Sequence, residues 1–425
     1  MYLFWLLWYA FLRASFIAIN GNLSTGLTAK NTLMSFVYGA YMDLSMASYW
    51  ILFSLFLFFL NPFFSLQPLL LRLHMAGIFL ISGLSAGDVL LYREWGYRLD
   101  RNAFLYLQHP ETALSFISYK QTLVSICLTL FFTAAGVWLY KKLATKVEKV
   151  KSPWIYITNI LLMGLLIIPI RGGLGIIPMN PGKVYFSNEI FTNHASLNLP
   201  WNLMYSLDNA RKAKAPETFM SESEAKIQMD SLTLDKNLDC LQVLNVKKPK
   251  ILMLLLESFT SNLLFQNYKD KEITPALNAR FRTGIYFSNA YATGVRTEMG
   301  IASILSGFPA QPLTSIVNYP EKTQKLPSLI RDLKSLGYHT RFYYGGDAAF
   351  ASMSSYFFNS GCDEIMDRAS FPSKSYNVKW GVHDHILFDT VRNRIISDTS
   401  QWFSVCLSLS SHPPQPALPS LGLPL

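Results

Sequence analysis

Five apolar stretches, each long enough to cross a bilayer as a helix, constrain this chain more than any other feature of its sequence. They run over residues 1–19, 46–64, 73–92, 121–140 and 153–170. A cleaved leader does not explain the first, because apolar spans keep following it. The second includes Ala47-Ser-Tyr-Trp-Ile-Leu-Phe-Ser-Leu-Phe-Leu-Phe-Phe-Leu60 and stops at Asn61-Pro62. The fourth ends in Tyr140 followed by lysines, the pattern of an interfacial anchor. The fifth opens at Pro153-Trp154 and closes at Arg171-Gly172-Gly173. Charged residues make up only 15% of the 425 residues, against about 25% in soluble domains, and the shortfall lies in this first part. The pattern predicts an N-terminal α-helical transmembrane bundle of about five helices over 1–172.

A net charge of +10 raises the question of a nucleic-acid partner. The distribution argues against one. The densest cluster, residues 141–151, carries five Lys and one Glu between two apolar spans. That is the placement of the positive-inside rule, not of a groove-binding patch on a soluble element. The cluster is therefore expected in the cytoplasm. The fifth span then leads outward, so everything from about residue 171 is expected outside a bacterial cytoplasmic membrane. The loop from Tyr92 to Ser118 falls on the same outer side. Its Arg93, Glu94, Arg98, Asp100 and Arg101 fit either a solvated loop or one resting under an outer domain or on lipid headgroups.

Of the four cysteines, none forms a CxxC pair, which removes zinc-ribbon and thioredoxin readings. Cys127 and Cys406 read as packing residues. Spacing leaves a Cys240–Cys362 disulfide open. Residues 173–247 read as a connector, with a helical pattern from about 196 to 235, and a composition shift at Lys247-Lys248-Pro249 opens a second domain over 248–412. Lys250-Ile-Leu-Met-Leu-Leu-Leu256 reads as a strand buried on both faces. Leu326 to Leu336 reads as an amphipathic helix, and Tyr338 to Tyr344 and Trp402 to Leu409 as strands. This is an α/β alternation, expected as a mainly parallel sheet with helices on both faces.

In such sheets ligands gather beyond the carboxyl ends of the strands. There the sequence places Glu257-Ser258, then Gly345-Gly346-Asp347, then Ser410-Ser411-His412, a set suited to an anion or a metal. Thr297 opens another helix, 297–305. It is an N-cap on one reading. On the other it is a nucleophile activated by a cation that Glu257 helps to hold.

Several ordered motifs resemble one family. Leu254-Leu-Leu-Glu257-Ser258-Phe259, Thr274-Pro275-Ala-Leu-Asn278, Arg296-Thr297-Glu298 and Ile304-Leu-Ser-Gly307-Phe-Pro309 are similar to the lipoteichoic acid synthase-like phosphoglycerol transferases of the sulfatase and alkaline phosphatase superfamily. The similarity continues through Gln324–Leu329, Phe342–Asp347, Lys379–Asp384 and Leu409–His412. The resemblance implies a sulfatase-like domain with a divalent metal (Mn, Mg or Zn) on Glu257 and Thr297. It implies that Thr297 is the catalytic nucleophile and carries a glycerophosphoryl group. It also implies substrate binding by His412, with Tyr344, Asp347 and Arg296 as further candidates. The donor would be a membrane phospholipid and the acceptor a glycan or lipid of the cell envelope.

Two departures accompany the resemblance. Ala351 and Met353 stand where the family's phosphate-binding tryptophan and arginine are expected. Residues 413–425 form an uncharged Pro/Leu-rich tail unlike the family, as in a truncated sequence. An incomplete metal site and weak turnover are the corresponding expectations. The alternatives are a phosphoethanolamine transferase, a sulfatase-like hydrolase, or an inactive remnant.

Overall fold

The computed structural model describes residues 1–59, 66–101, 119–144, 154–212, 220–233, 244–311, 314–376 and 380–411. His412, Cys240, the 413–425 tail and most of the lysine cluster lie outside the described residues. The chain divides into two compact units. The first comprises Met1–Ala210, Ile316–Leu326 and Asp347–Cys362. The second comprises Arg211–Ser315, Pro327–Gly346 and Asp363–Leu425.

Five helices of the first unit are long and apolar enough to cross a membrane. They are α1 (Tyr2–Asn20), α2 (Ala29–Phe58), α3 (Gln67–Trp95), α4 (Tyr119–Leu143) and α5 (Trp154–Arg171). Aromatic rings and small residues set their packing. Trp5 of α1 stacks on Trp50 of α2 with ring centroids 4.4 Å apart. A Cβ at Gly136 of α4 would stand 2.7 Å from Ile78, so only glycine permits that approach to α3.

One expectation needs correction. The second helix begins at Ala29, not near 46, because Thr28 caps it by accepting from the Asn31 N–H at 3.1 Å. Its polar first half is helical because Ser35, Asp43, Ser45 and Ser48 are buried inside the unit rather than bathed in lipid. Of the open readings of the loop after α3, the described part fits a packed one, since Arg98 and Asp100 are buried. Arg98 meets Asp88 at 2.8 Å and donates to the carbonyl of His194 at 2.9 Å.

The segment after α5 belongs to this unit too. Helices α6 (Ile190–Ser196) and α7 (Leu199–Lys212) follow, and Phe191 to Ser196 are all buried. Two pieces from later in the chain join them. Ser354 donates to the Gly182 carbonyl at 2.8 Å, and Asn359 to that of Pro320 at 2.8 Å.

The second unit holds α8 (Glu222–Thr233), α9 (Pro275–Thr283), α10 (Thr297–Ser306), α11 (Leu329–Ser335) and α12 (Asp384–Ser397). Its strands are β1 (Ile251–Leu255), β2 (Asn267–Tyr268), β3 (Lys271–Glu272), β4 (His339–Tyr344), β5 (Glu364–Met366) and β6 (Trp402–Leu407). A four-stranded sheet of order β1-β6-β4-β5 is parallel throughout, and β2 and β3 form a small antiparallel pair. The α/β reading with a parallel sheet holds. β6 is buried along its whole length, as expected of a strand with neighbours on both sides. β1 differs from expectation. Among the described residues it pairs with β6 and keeps partial exposure, so its apolar run is not buried on both faces. Tyr343, Val382, Leu387, Val391 and Cys406 build the core on one side of the sheet.

Candidate active site

Parallel register brings the ends of three strands level. Leu255 pairs with Leu407, and Leu407 with Tyr344. The residues that follow, Leu256-Glu257, Ser408 and Gly345-Gly346, therefore leave the sheet at one rim. Glu257 is fixed there by its backbone. Its N–H donates to the Ser408 hydroxyl at 2.8 Å, and the Ser411 hydroxyl donates to its carbonyl. Ser258, immediately after, sits at φ +51°, a strained conformation for a residue with a Cβ and of the kind that clusters at functional sites. Its hydroxyl donates to Glu257 Oε1 at 3.1 Å.

Thr297 donates its hydroxyl proton to Glu257 Oε2 at 2.6 Å. Forty residues of chain separate the two, so the contact is tertiary, between the end of β1 and the start of α10. The N-cap position of α10 belongs to Arg296, with extended backbone, and Thr297 is the first helical residue. The Thr297 side chain is therefore turned to Glu257 rather than to its own helix. Both residues are half-exposed. Arg296 is exposed beside them, and its carbonyl accepts from the Met299 and Gly300 N–H groups. The amino terminus of α10 adds a partial positive charge beside these two oxygens.

The other candidates are placed differently. Tyr344 is buried at the end of β4, and its ring lies where a Cβ on Gly346 would come within 2.8 Å of it. Glycine at 346 is thus required by close approach. Asp347 belongs to the first unit, where its carboxylate accepts from the Ala349 N–H at 2.9 Å. His412 is outside the described residues.

Asp384, the first residue of α12, has a part that the sequence did not disclose. Its carboxylate accepts from the N–H groups of Leu409 at 2.6 Å and Ser410 at 3.1 Å, and its own N–H donates to the Ser410 hydroxyl at 2.9 Å. It holds the turn after β6 that carries Ser408 and Ser411 to Glu257. The signal was available in the polar run Ser408-Leu-Ser-Ser411 and in the charged start of α12. Nearby, burial lowers the pKa of His383, helped by His385, which favours a neutral imidazole. Burial pushes the Cys406 thiol up to about 12, with Asp384 adding to the effect, so this sulfur is a packing group.

Glu257 Oε2 and Thr297 Oγ1 are two hard oxygen donors on one rim. They suit one edge of a magnesium- or manganese-type site, in which one or two carboxylates hold the ion while water and phosphate oxygens complete it. A zinc site takes three or four protein ligands. Among the described residues no three His, Cys, Asp or Glu side chains group to hold a metal ion.

The sulfatase family model matches residues 249–420. Among solved structures, the chain is similar to a protein in the alkaline phosphatase superfamily from Vibrio parahaemolyticus, at 27% identity and a TM-score of 0.38, over 42% of this chain and 44% of that one. It is also similar to the lipoteichoic acid synthase LtaP from Listeria monocytogenes, at 21% identity and a TM-score of 0.36, over 39% of this chain and 41% of that one. The chain thus spans less than half the length of either structure, and superposition at this level carries no argument about activity.

Proposed function

We propose that the sulfatase-family domain of this chain, residues 249–420, is the transferase part of a membrane-anchored enzyme. It moves a phosphoglycerol-type headgroup from a membrane phospholipid, through Thr297, to a glycan or lipid acceptor in the cell envelope. The domain works outside the cytoplasm, at the membrane surface to which the five helices tether it.

One observation carries the reading, the 2.6 Å hydrogen bond from Thr297 to Glu257. A threonine hydroxyl is a weak nucleophile until a base or a cation acts on it. Here its proton is directed at a carboxylate, which leaves the oxygen lone pairs free for phosphorus. In the first step the Thr297 oxygen bonds to phosphorus and the bond to the diacylglycerol oxygen breaks. The threonine proton ends on the released diacylglycerol. In the second step an acceptor hydroxyl takes the group and Thr297 regains a proton. Glu257 and Thr297 would hold a divalent cation, which supplies charge neutralisation for the attacking and phosphoryl oxygens. Helix α10 presents its amino terminus to the same charge. Anchoring raises the effective concentration of a donor that lies in the bilayer.

The test is diacylglycerol release from labelled phosphatidylglycerol by the full chain in nanodiscs with manganese or magnesium. Release that depends on Thr297 is expected. Release undiminished in Thr297→Ala rules out the nucleophile, and preference for phosphatidylethanolamine over phosphatidylglycerol reassigns the headgroup.

A further inference from the structure

Ser258 stands in a conformation that its own side chain disfavours. It sits at φ +51°, where a Cβ crowds the following carbonyl oxygen and glycine has no Cβ to do so. A tight turn explains the same sign of φ elsewhere in this unit. Lys269 and Asp270, at φ +47° and +60°, are the two residues between β2 and β3. A two-residue hairpin loop of type I′ needs positive φ at both of its positions. Among the described residues no hairpin accounts for Ser258, because β1 before it pairs in parallel with β6.

What the strained turn accomplishes is visible in its side chain. Along extended backbone, neighbouring side chains project to opposite faces. Had β1 simply continued, Ser258 would point away from Glu257. Turned into the left-handed region, it reaches back, and its hydroxyl donates to Glu257 Oε1 at 3.1 Å. Oε2 of the same carboxylate takes the Thr297 hydroxyl at 2.6 Å. Ser408 and Ser411 fix the main chain of Glu257, but those two bonds do not restrain the side-chain torsions on which the carboxylate swings. Ser258 acts on the oxygen that Thr297 does not reach.

We propose that Ser258 is a positioning residue for Glu257. Its hydroxyl holds Oε1 so that Oε2 stays directed at Thr297, and the left-handed backbone is what brings that hydroxyl into place. This deepens the transferase reading above and rests on it for the cation that Glu257 and Thr297 would hold. Glycine at 258 would suit the backbone better and could not restrain the carboxylate. The serine therefore serves the site while weakening the fold.

The test separates backbone from hydroxyl in the full chain in nanodiscs. Each variant is measured for manganese affinity by calorimetry and for its melting temperature without metal. Ser258→Gly removes both the strain and the hydroxyl. Its melting temperature is expected to rise by about 2 °C, while manganese binds about 10-fold more weakly, the lower end of the loss when a metal-ligating side chain is deprived of its hydrogen-bond partner. Ser258→Ala keeps the strain and should lose the same affinity with no gain in melting temperature. Ser258→Thr restores a hydroxyl on a β-branched residue that tolerates left-handed backbone poorly. Affinity is then expected to return as the melting temperature falls. A role in the fold alone cannot move the two readings in opposite directions. A melting temperature that falls in Ser258→Gly together with affinity makes Ser258 a structural residue and overturns the proposal. If the glycine and alanine variants bind manganese as the parent does while Glu257→Gln does not, Ser258 loses this role and Glu257 keeps its own. If manganese affinity is indifferent to Glu257→Gln as well, the cation site itself fails, and the role of Ser258 fails with it.

Discussion

Two carboxylates of the first unit and one of the second are held in opposite ways. In the first, Asp43 is held by both oxygens to Arg13 at 2.7 Å, and Asp88 meets Arg98 at 2.8 Å, with every partner nearly sealed from solvent. Asp88 also accepts from the Leu99 N–H at 2.7 Å. In the second, Glu257 is half-exposed and, among the described residues, takes neutral side-chain donors alone, the hydroxyls of Thr297 and Ser258. A buried carboxylate beside a guanidinium is neutralised and has no capacity left for a ligand. A carboxylate on an open rim, met among the described residues by hydroxyls alone, has no cationic side chain to displace before a metal ion reaches it. The first arrangement fastens helices and the 194–198 turn together. The second is where the proposed chemistry would take place.

The contrast breaks first at Thr297. Thr297→Ala should lower turnover by about 10³-fold or more, as loss of a nucleophile does. It should cost little stability, since one half-exposed hydrogen bond contributes about 1 kcal/mol. Activity within a few-fold of the parent would return the pair to a structural role. Second is Glu257→Gln, which keeps an acceptor for the hydroxyl but loses the charge. A drop in metal affinity larger than the roughly 10- to 100-fold lost with an outer-shell partner is expected, read by calorimetry, with an unchanged melting temperature. A matched loss of stability would make Glu257 resemble Asp43.

The reverse test is Asp43→Asn in the first unit. Leaving Arg13 buried without its counter-charge should cost about 3–5 kcal/mol, seen as a lower melting temperature in nanodiscs. A variant as stable as the parent would deny the fastening role. The smallest effect concerns Glu321, whose carboxyl burial and Asp100 raise to about 7. Because the folded value lies above the unfolded one, its contribution is complete below about pH 4.5 and is lost as pH rises through 7. The loss is at most about 3 kcal/mol, and less for a side chain that keeps some exposure. Glu321→Gln should flatten the fall in melting temperature between pH 5 and 8, and an unaltered slope would remove this residue as its cause.

Much of this was legible in the sequence where local pattern decides. Five apolar spans, the run before Glu257 and the start of α10 at Thr297 all declare themselves through periodicity and composition. What was not legible depends on distant partners. The amino-terminal half of α2 reads as too polar for a span because Asp43 finds its cation in α1. Arg98 reads as a loop residue because nothing local announces Asp88 and the His194 carbonyl. The partial exposure of β1 reflects what packs on its faces, which an apolar run cannot specify. Asp384 went unassigned because its partners, Leu409 and Ser410, meet it only once β6 and α12 are in place.

The central claim concerns a single oxygen atom, and mass spectrometry can follow it directly. The full chain is incubated with phosphatidylglycerol and manganese, quenched in acid and digested, and the peptide containing Thr297 is sequenced. A phosphoglycerol adduct on Thr297, absent from Glu257→Gln at short times, is the predicted result. Diacylglycerol released with that peptide unmodified, or an adduct on another residue, would contradict it.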